Sequence, residues 1–224
     1  MAYNNLYDSI TKSRQVHRLC HFTHVSNLSN ILKNGILSSK NIPYSQWNDK
    51  DRVDGYTDYV CTSVELPNTY CLKDMIKRTG TNIEDWIIFK INPNIIDETS
   101  LFCPVNAARG YGKYVREGVD AYESIFLESI FLNEEWTRNP NWVSSIPSNI
   151  QAEVLIKECI PVSKIEAIIF HEKFFDDDIF KLVNQANIEL RQSIDLFDSN
   201  KTLGWLNNGR IPFDFPINLN NYRE

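Results

Sequence analysis

LCHFTHVSNLSNILKNGI, Leu19–Ile36, reads as a short strand that runs into a helix. Leu19, Phe22 and Val25 are apolar among polar neighbours, and His21, Thr23 and His24 gather near the turn. Ser26 or Asn27 is the expected N-cap, because a short side-chain oxygen accepts from an orphan backbone N–H. Leu28, Ile31 and Leu32 follow at i, i+3 and i+4, the spacing of one helix face. Asn34-Gly35 closes the segment, since glycine tolerates the left-handed conformation that ends helices. A strand that opens onto a helix N-terminus presents free N–H groups and the positive end of the helix dipole, and so attracts anions. Two readings stand: histidines of purely structural use, or a corner that holds a phosphate or nucleotide.

The 224 residues suffice for one large domain or two small ones. A net charge of −6 leaves no footprint for coating nucleic acid regardless of sequence, although it permits a local basic groove. The five cysteines are widely spaced and contain no CxxC pair. They read as reduced thiols, and no Cys/His cluster has the spacing of a zinc site. No apolar run reaches membrane-spanning length and no segment resembles a signal peptide, so a soluble, cytoplasmic protein is expected.

Outward from the opening stretch, residues 1–16 predict a short helix or arm in which Tyr3, Leu6 and Tyr7 pack. Ser38–Gly55 is a loop in which Asp51 and Asp54 flank Arg52. That arginine is either part of a solvated salt bridge or a cation aimed at a phosphate. YVCTSV at Tyr59–Val64 and DWIIFKI at Asp85–Ile91 predict buried strands, with a helix over Tyr70–Lys77 between them. Leu101–Ala108 predicts a short strand leading into an Asn-Ala-Ala turn. Gly110–Gly118, with Arg109 beside it, is the one locally basic patch. Tyr111, Lys113, Tyr114 and Arg116 there alternate aromatic and cation, a pattern that holds single strands by stacking or forms an ordinary charged loop. Val119–Leu132 predicts a helix, and Asn133–Asn149 a polar connector containing Trp136 and Trp142.

QAEVLI at Gln151–Ile156 predicts a strand with Ala152, Val154 and Ile156 on one face and Gln151, Glu153 and Leu155 on the other. A carboxylate among such neighbours is either on an exposed edge strand or aimed into a site, because burying an unpaired charge is costly. Ile165–Phe170 predicts another buried strand, Phe174–Leu190 an amphipathic helix, and the tail after Gly204 packs back through Phe213 and Phe215. Mixed strands and segregated helices without repeats predict a single α+β domain over residues 1–224.

Four of these stretches, in this order, resemble the DarT-type ADP-ribosyltransferases, the toxin halves of DarTG toxin–antitoxin systems. They are His21–Ile36, the Arg52 loop running into DGYTDYV at Asp54–Val60, VNAA at Val105–Ala108, and IQAEVLIKECIPVSKIEAIIF at Ile150–Phe170. The resemblance implies an ADP-ribosyltransferase-like fold: a split mixed β-core with surrounding helices and an NAD cleft. It implies a glycosyltransferase that uses NAD as co-substrate, needs no metal, and modifies a base, thymine or guanine, in single-stranded DNA. Carried over by position, His21, Thr23 and His24 contact the ribose and nicotinamide end of NAD, and Asn27 and Leu28 complete that pocket. Glu153 matches the catalytic glutamate, and Arg52 falls in the region of the catalytic, NAD-contacting arginine. Asn106, Tyr111, Lys113, Tyr114 and Arg116 are the candidates for holding DNA, and the implied partner is a macrodomain antitoxin of the DarG type. CTSVELPNTYC at Cys61–Cys71 departs from the family's usual run, which is richer in aromatics and proline. The alternatives are a transferase acting on RNA or protein, or a catalytically silent nucleotide-binding module.

Overall fold

The computed structural model describes residues 3–43 and 52–217. The Tyr3 side chain, residues 44–51 of the expected loop with Asp51, and residues 218–224 of the tail lie outside the described residues. The helices are α1 (Tyr3–Arg14), α2 (Leu28–Asn34), α3 (Thr69–Thr79), α4 (Val119–Ser124), α5 (Asp177–Gln185) and α6 (Ser199–Asn207). The first strands are β1 (Leu19–His24), β2 (Ile36–Leu37), β3 (Tyr59–Val64), β4 (Trp86–Ile91), β5 (Leu101–Cys103), β6 (Arg116–Glu117) and β7 (Ser129–Phe131). They are followed by β8 (Glu135–Thr137), β9 (Glu153–Lys157), β10 (Cys159–Ile160), β11 (Ile165–His171), β12 (Glu189–Ser193) and β13 (Phe215–Pro216).

One mixed sheet runs in the order β13-β12-β11-β4-β1-β3-β9-β5-β6. Its neighbours pair antiparallel except β11 and β12, which are parallel and joined by α5 as a crossover. Both faces are covered. Ile87 and Phe89 of β4 pack into a core with Leu28 and Ile31 of α2, Tyr122 of α4 and Val183 of α5. Ile88, between them, points to the other face, toward Leu72 and Met75 of α3 and Leu206 of α6. Burial on both faces is why WIIFKI is an unbroken apolar run with no polar alternation until Lys90.

β1 pairs with β4 from Leu19↔Ile91 to His24↔Trp86, but with β3 only at Leu19↔Val64 and Cys20↔Ser63. β3 continues to pair with β9 from Tyr59↔Lys157 to Ser63↔Glu153. The sheet therefore splits between β1 and β3, as the ADP-ribosyltransferase-like reading expects.

Three expected elements differ. The helix expected over Val119–Leu132 stops at Ser124, and the Ile125 carbonyl is taken by Ser148 N–H at 2.8 Å. Residues 129–137 then form the β7–β8 hairpin within what reads as helix and connector. The helix expected to reach Leu190 ends at Gln185. Asn187 follows at φ +56°, and Glu189–Ser193 becomes β12. At the opening stretch the expected capping is displaced: Asn27 occupies the cap of α2 without a side-chain cap bond, and His24 Nδ1 accepts from Ser26 N–H instead. Gly35 closes α2 at φ +78°, and a Cβ there would stand 2.5 Å from the Ile160 carbonyl of β10.

Candidate active site

Glu153 sits on β9, flanked by Ser63 of β3 and Cys103 of β5, so it belongs to an interior strand. Only 7% of it is exposed. Its charge is met by the VNAA turn. Asn106 Nδ2 donates to Oε1 and Ala107 N–H donates to Oε2, both at 3.0 Å. Asn106 is itself fixed, because its Oδ1 accepts from Ala108 N–H at 2.9 Å. The two stretches VNAA and QAEVLI thus make one device that aims a carboxylate into the cleft.

The cleft follows the split of the sheet and has a cavity volume of about 170 Å³. His21 and Thr23 line one wall, Tyr59–Ser63 the other, and Arg52, Asn106 and Glu153 close one side. His21 spans the split, with Nδ1 2.9 Å from the Cys61 carbonyl. A carbonyl only accepts, so Nδ1 carries the hydrogen and the neutral ring leaves Nε2 as an acceptor. Burial holds the imidazole below its ordinary 6.5, with Arg52 pushing the same way against the carbonyl bond. Thr23 Oγ1 accepts from Asn27 Nδ2 at 2.9 Å, so the amide at the start of α2 is turned back toward β1.

Arg52 is bound more completely than its setting in the sequence indicates. Nε and one terminal nitrogen donate to the two oxygens of Asp54, at 3.1 and 3.2 Å. The remaining bonds go to Ser39 Oγ at 3.2 Å, the Tyr59 carbonyl at 3.2 Å and the Tyr56 carbonyl. A guanidinium has five N–H donors, and these five acceptors use them all. Arg52 is therefore both a wall of the cleft and the pin of its own loop, and an anion reaches it only by displacing one acceptor. The nearby thiol of Cys61 donates to Asp54 Oδ2 at 3.7 Å. Burial and the Glu153 charge push that thiol well above its ordinary value, so it stays protonated and is no nucleophile.

Of the residues expected at the site, His21, Thr23, Asn27, Arg52, Asn106 and Glu153 share the cleft. Leu28 does not line it, being fully buried in the core beneath α2. His24 also stands outside the lining, with its ring edge-on to Trp86 at 5.8 Å. The Tyr111–Arg116 patch lies outside as well, and its cations are in use. Lys113 covers the Tyr114 ring at 4.7 Å, and Arg116 donates to the carbonyls of Lys113 and Val115. Tyr111, 81% exposed, keeps an open ring. The patch is tied to the site through backbone: a Cβ on Gly112 would stand 2.3 Å from the Asp54 carbonyl. Sequence reasoning passed over Ser39, Ser63 and Asn68, which line the cleft from separate segments, and read Asp54 only as a flanking charge.

The architecture has solved counterparts. DarT from Thermus sp. 2.9 in complex with ADP-ribosylated ssDNA is similar at a TM-score of 0.55 and 15% identity, covering 82% of this chain and 97% of that one. The same protein in complex with NAD+ gives a TM-score of 0.54 at 16% identity, covering 82% and 98%. Thermosipho africanus DarTG in complex with ADP-ribose gives 0.52 at 17% identity, covering 81% of this chain and 51% of that one. No curated protein sequence matches the chain significantly. A family model described as "ssDNA thymidine ADP-ribosyltransferase, DarT" matches residues 20–198, most of the chain, and the chain belongs to that family.

Proposed function

We propose that this protein transfers ADP-ribose from NAD to thymine in single-stranded DNA, as the toxin of a pair whose antitoxin is a macrodomain protein of the DarG type. The reading places it in the cytoplasm as one domain over residues 1–224. Among the described residues no helix is long and apolar enough to cross a membrane. The observation that carries the reading is Glu153, buried and oriented by the VNAA turn, in one cleft with His21, Thr23 and Arg52. The cleft suits a dinucleotide in kind, offering the His21 acceptor, the Arg52 cation and a carboxylate along one open groove.

NAD supplies an ADP-ribosyl group whose bond to nicotinamide breaks with the electron pair leaving on the nicotinamide nitrogen. The sugar then carries oxocarbenium character, as in glycoside cleavage. Glu153 accepts a hydrogen bond from a ribose hydroxyl and stabilises that positive charge electrostatically. As the ring nitrogen of the base attacks the anomeric carbon, Glu153 takes the proton it loses. His21 accepts from a hydroxyl or amide through Nε2 and holds the donor in register. Arg52 offsets diphosphate charge, with the neutral Ser39 hydroxyl the acceptor most readily exchanged for a phosphate oxygen.

Glu153→Gln keeps the Oε1 acceptor and the side-chain shape but removes the base. We expect a fall in transfer of at least roughly a hundredfold, within the range for a general base. The measurement is mass spectrometry of thymine-containing oligonucleotides incubated with NAD, with thermal melting as the folding control. Full transfer by a folded Glu153→Gln protein would remove Glu153 from the mechanism.

A further inference from the structure

We infer that Asn68, at the N-terminus of α3, donates a hydrogen bond to a neutral carbonyl carried on a planar six-membered ring that enters the cleft. The inference rests on the reading of this cleft as the site of transfer. Asn68 is 3% exposed and lines the cleft beside Cys20, Phe22, Ser63, Cys71 and Met75. Its Oδ1 accepts from Cys71 N–H at 3.1 Å and so caps the helix. That bond fixes the orientation of the amide, because only the oxygen end can meet an N–H donor. The other end, Nδ2, is buried and has no hydrogen-bond partner among the described residues.

A buried donor without an acceptor is costly, and such groups are rare in folded proteins. Asn68 could have been Ser, Thr or Asp and still capped α3. What asparagine adds is the second, donating end. The neighbours named above are apolar or uncharged, which suits a flat ring with a neutral carbonyl better than a phosphate. The position also suits the chemistry. Ser63 is paired with Glu153 across β3 and β9, and β3 runs on from Ser63 into the turn that carries Asn68. Two rings in the proposed reaction carry such a carbonyl: the nicotinamide carboxamide and the acceptor thymine.

Asn68→Asp tests this, because it keeps an oxygen for Cys71 N–H while replacing the donor with an acceptor. The probes are nicotinamide and thymidine, titrated separately into wild type and variant and followed by protein NMR shifts. We expect the melting temperature to hold and affinity to fall roughly tenfold, as for a lost hydrogen bond with repulsion in its place. A loss confined to nicotinamide assigns the subsite to the carboxamide, a loss confined to thymidine assigns it to the base, and a loss of both supports a shared carbonyl site. Unchanged affinity for both probes overturns the inference, as does failure of both to bind the wild type. Should Asn68→Asp not fold, Asn68→Ser keeps a cap oxygen on a side chain too short to donate into the cleft, and is read the same way. Because the readout is binding, a wild-type protein that binds a probe but transfers nothing would sink the transfer reading and leave the subsite standing.

Discussion

At the scale of single residues, the parity of a strand was legible and the partners of a cation were not. QAEVLI placed Glu153 opposite Val154 by alternation alone, and the buried position on an interior strand excludes the exposed edge. Arg52 could not be resolved that way, because its acceptors are spread over Ser39, Asp54, Tyr56 and Tyr59 and meet only on folding. Its removal should therefore cost stability as well as rate. Arg52→Ala leaves the Asp54 carboxylate buried without its cation, and we expect a loss of about 3 kcal/mol, the scale of a broken buried pair. Urea denaturation at neutral pH checks it; an unchanged midpoint would show that the loop does not depend on Arg52. His21 gives a second test. Its folded value lies below 6.5, so as pH falls through 6.5 the unfolded chain takes up the proton first. Stability present above pH 6.5 is thus progressively lost toward the depressed folded value. The drop in stability from pH 7 to pH 5 should be shallower in His21→Asn than in wild type, and an equal slope in the two would contradict the assignment.

Among the elements, runs of β-branched and aromatic residues announced β3, β4, β9 and β11, most of whose residues are buried. β12 was not announced, since ELRQS is a polar strand whose place is set by its parallel partner β11. The hairpin of β7 and β8 was equally hidden, because a tertiary bond from Ser148 closes the helix before it. The Gly110–Gly118 segment reads in sequence either as a stacking patch for single strands or as an ordinary charged loop, and its backbone is wedged against the Arg52 turn. Gly112 and Gly55 share a φ of +78°, yet a Cβ on Gly55 meets nothing within 4 Å while one on Gly112 meets the Asp54 carbonyl. The two alanine variants therefore separate backbone strain from packing. Gly55→Ala should cost about 1 kcal/mol and Gly112→Ala about 2–3 kcal/mol more. Gly112→Ala alone should slow transfer, because only it displaces the Asp54 backbone. Equal melting temperatures for the two would mean the wedge carries no load.

Over the whole molecule, the family match ends at residue 198, but the chain beyond it is anchored to the sheet. Asp214 accepts from Arg18 Nη1 at 2.5 Å and also from Arg191, while Arg18 Nε donates to the Glu65 carbonyl at 2.7 Å. Arg18 and Glu65 flank the one level at which β1 and β3 still pair. Asp214→Ala removes the nearer of the two acids that face the buried Arg18 guanidinium and leaves Glu65 at 4.0 Å, and we expect about 3 kcal/mol of destabilisation, read from the urea midpoint at constant slope. A shift below 1 kcal/mol would show the tail to be ornamental.

That same level bears on how the sheet is held together. The rungs at Leu19↔Val64 and Cys20↔Ser63 are the spine on which two leaves hang, one carrying Glu153 and the other His21 and Thr23. Beyond the spine the leaves are stapled by the His21 ring on the Cys61 carbonyl rather than by a ladder of backbone bonds. The alignment of acid and histidine is thus only as stiff as that short binding edge, and the salt-linked knot behind it is what keeps the book from falling open.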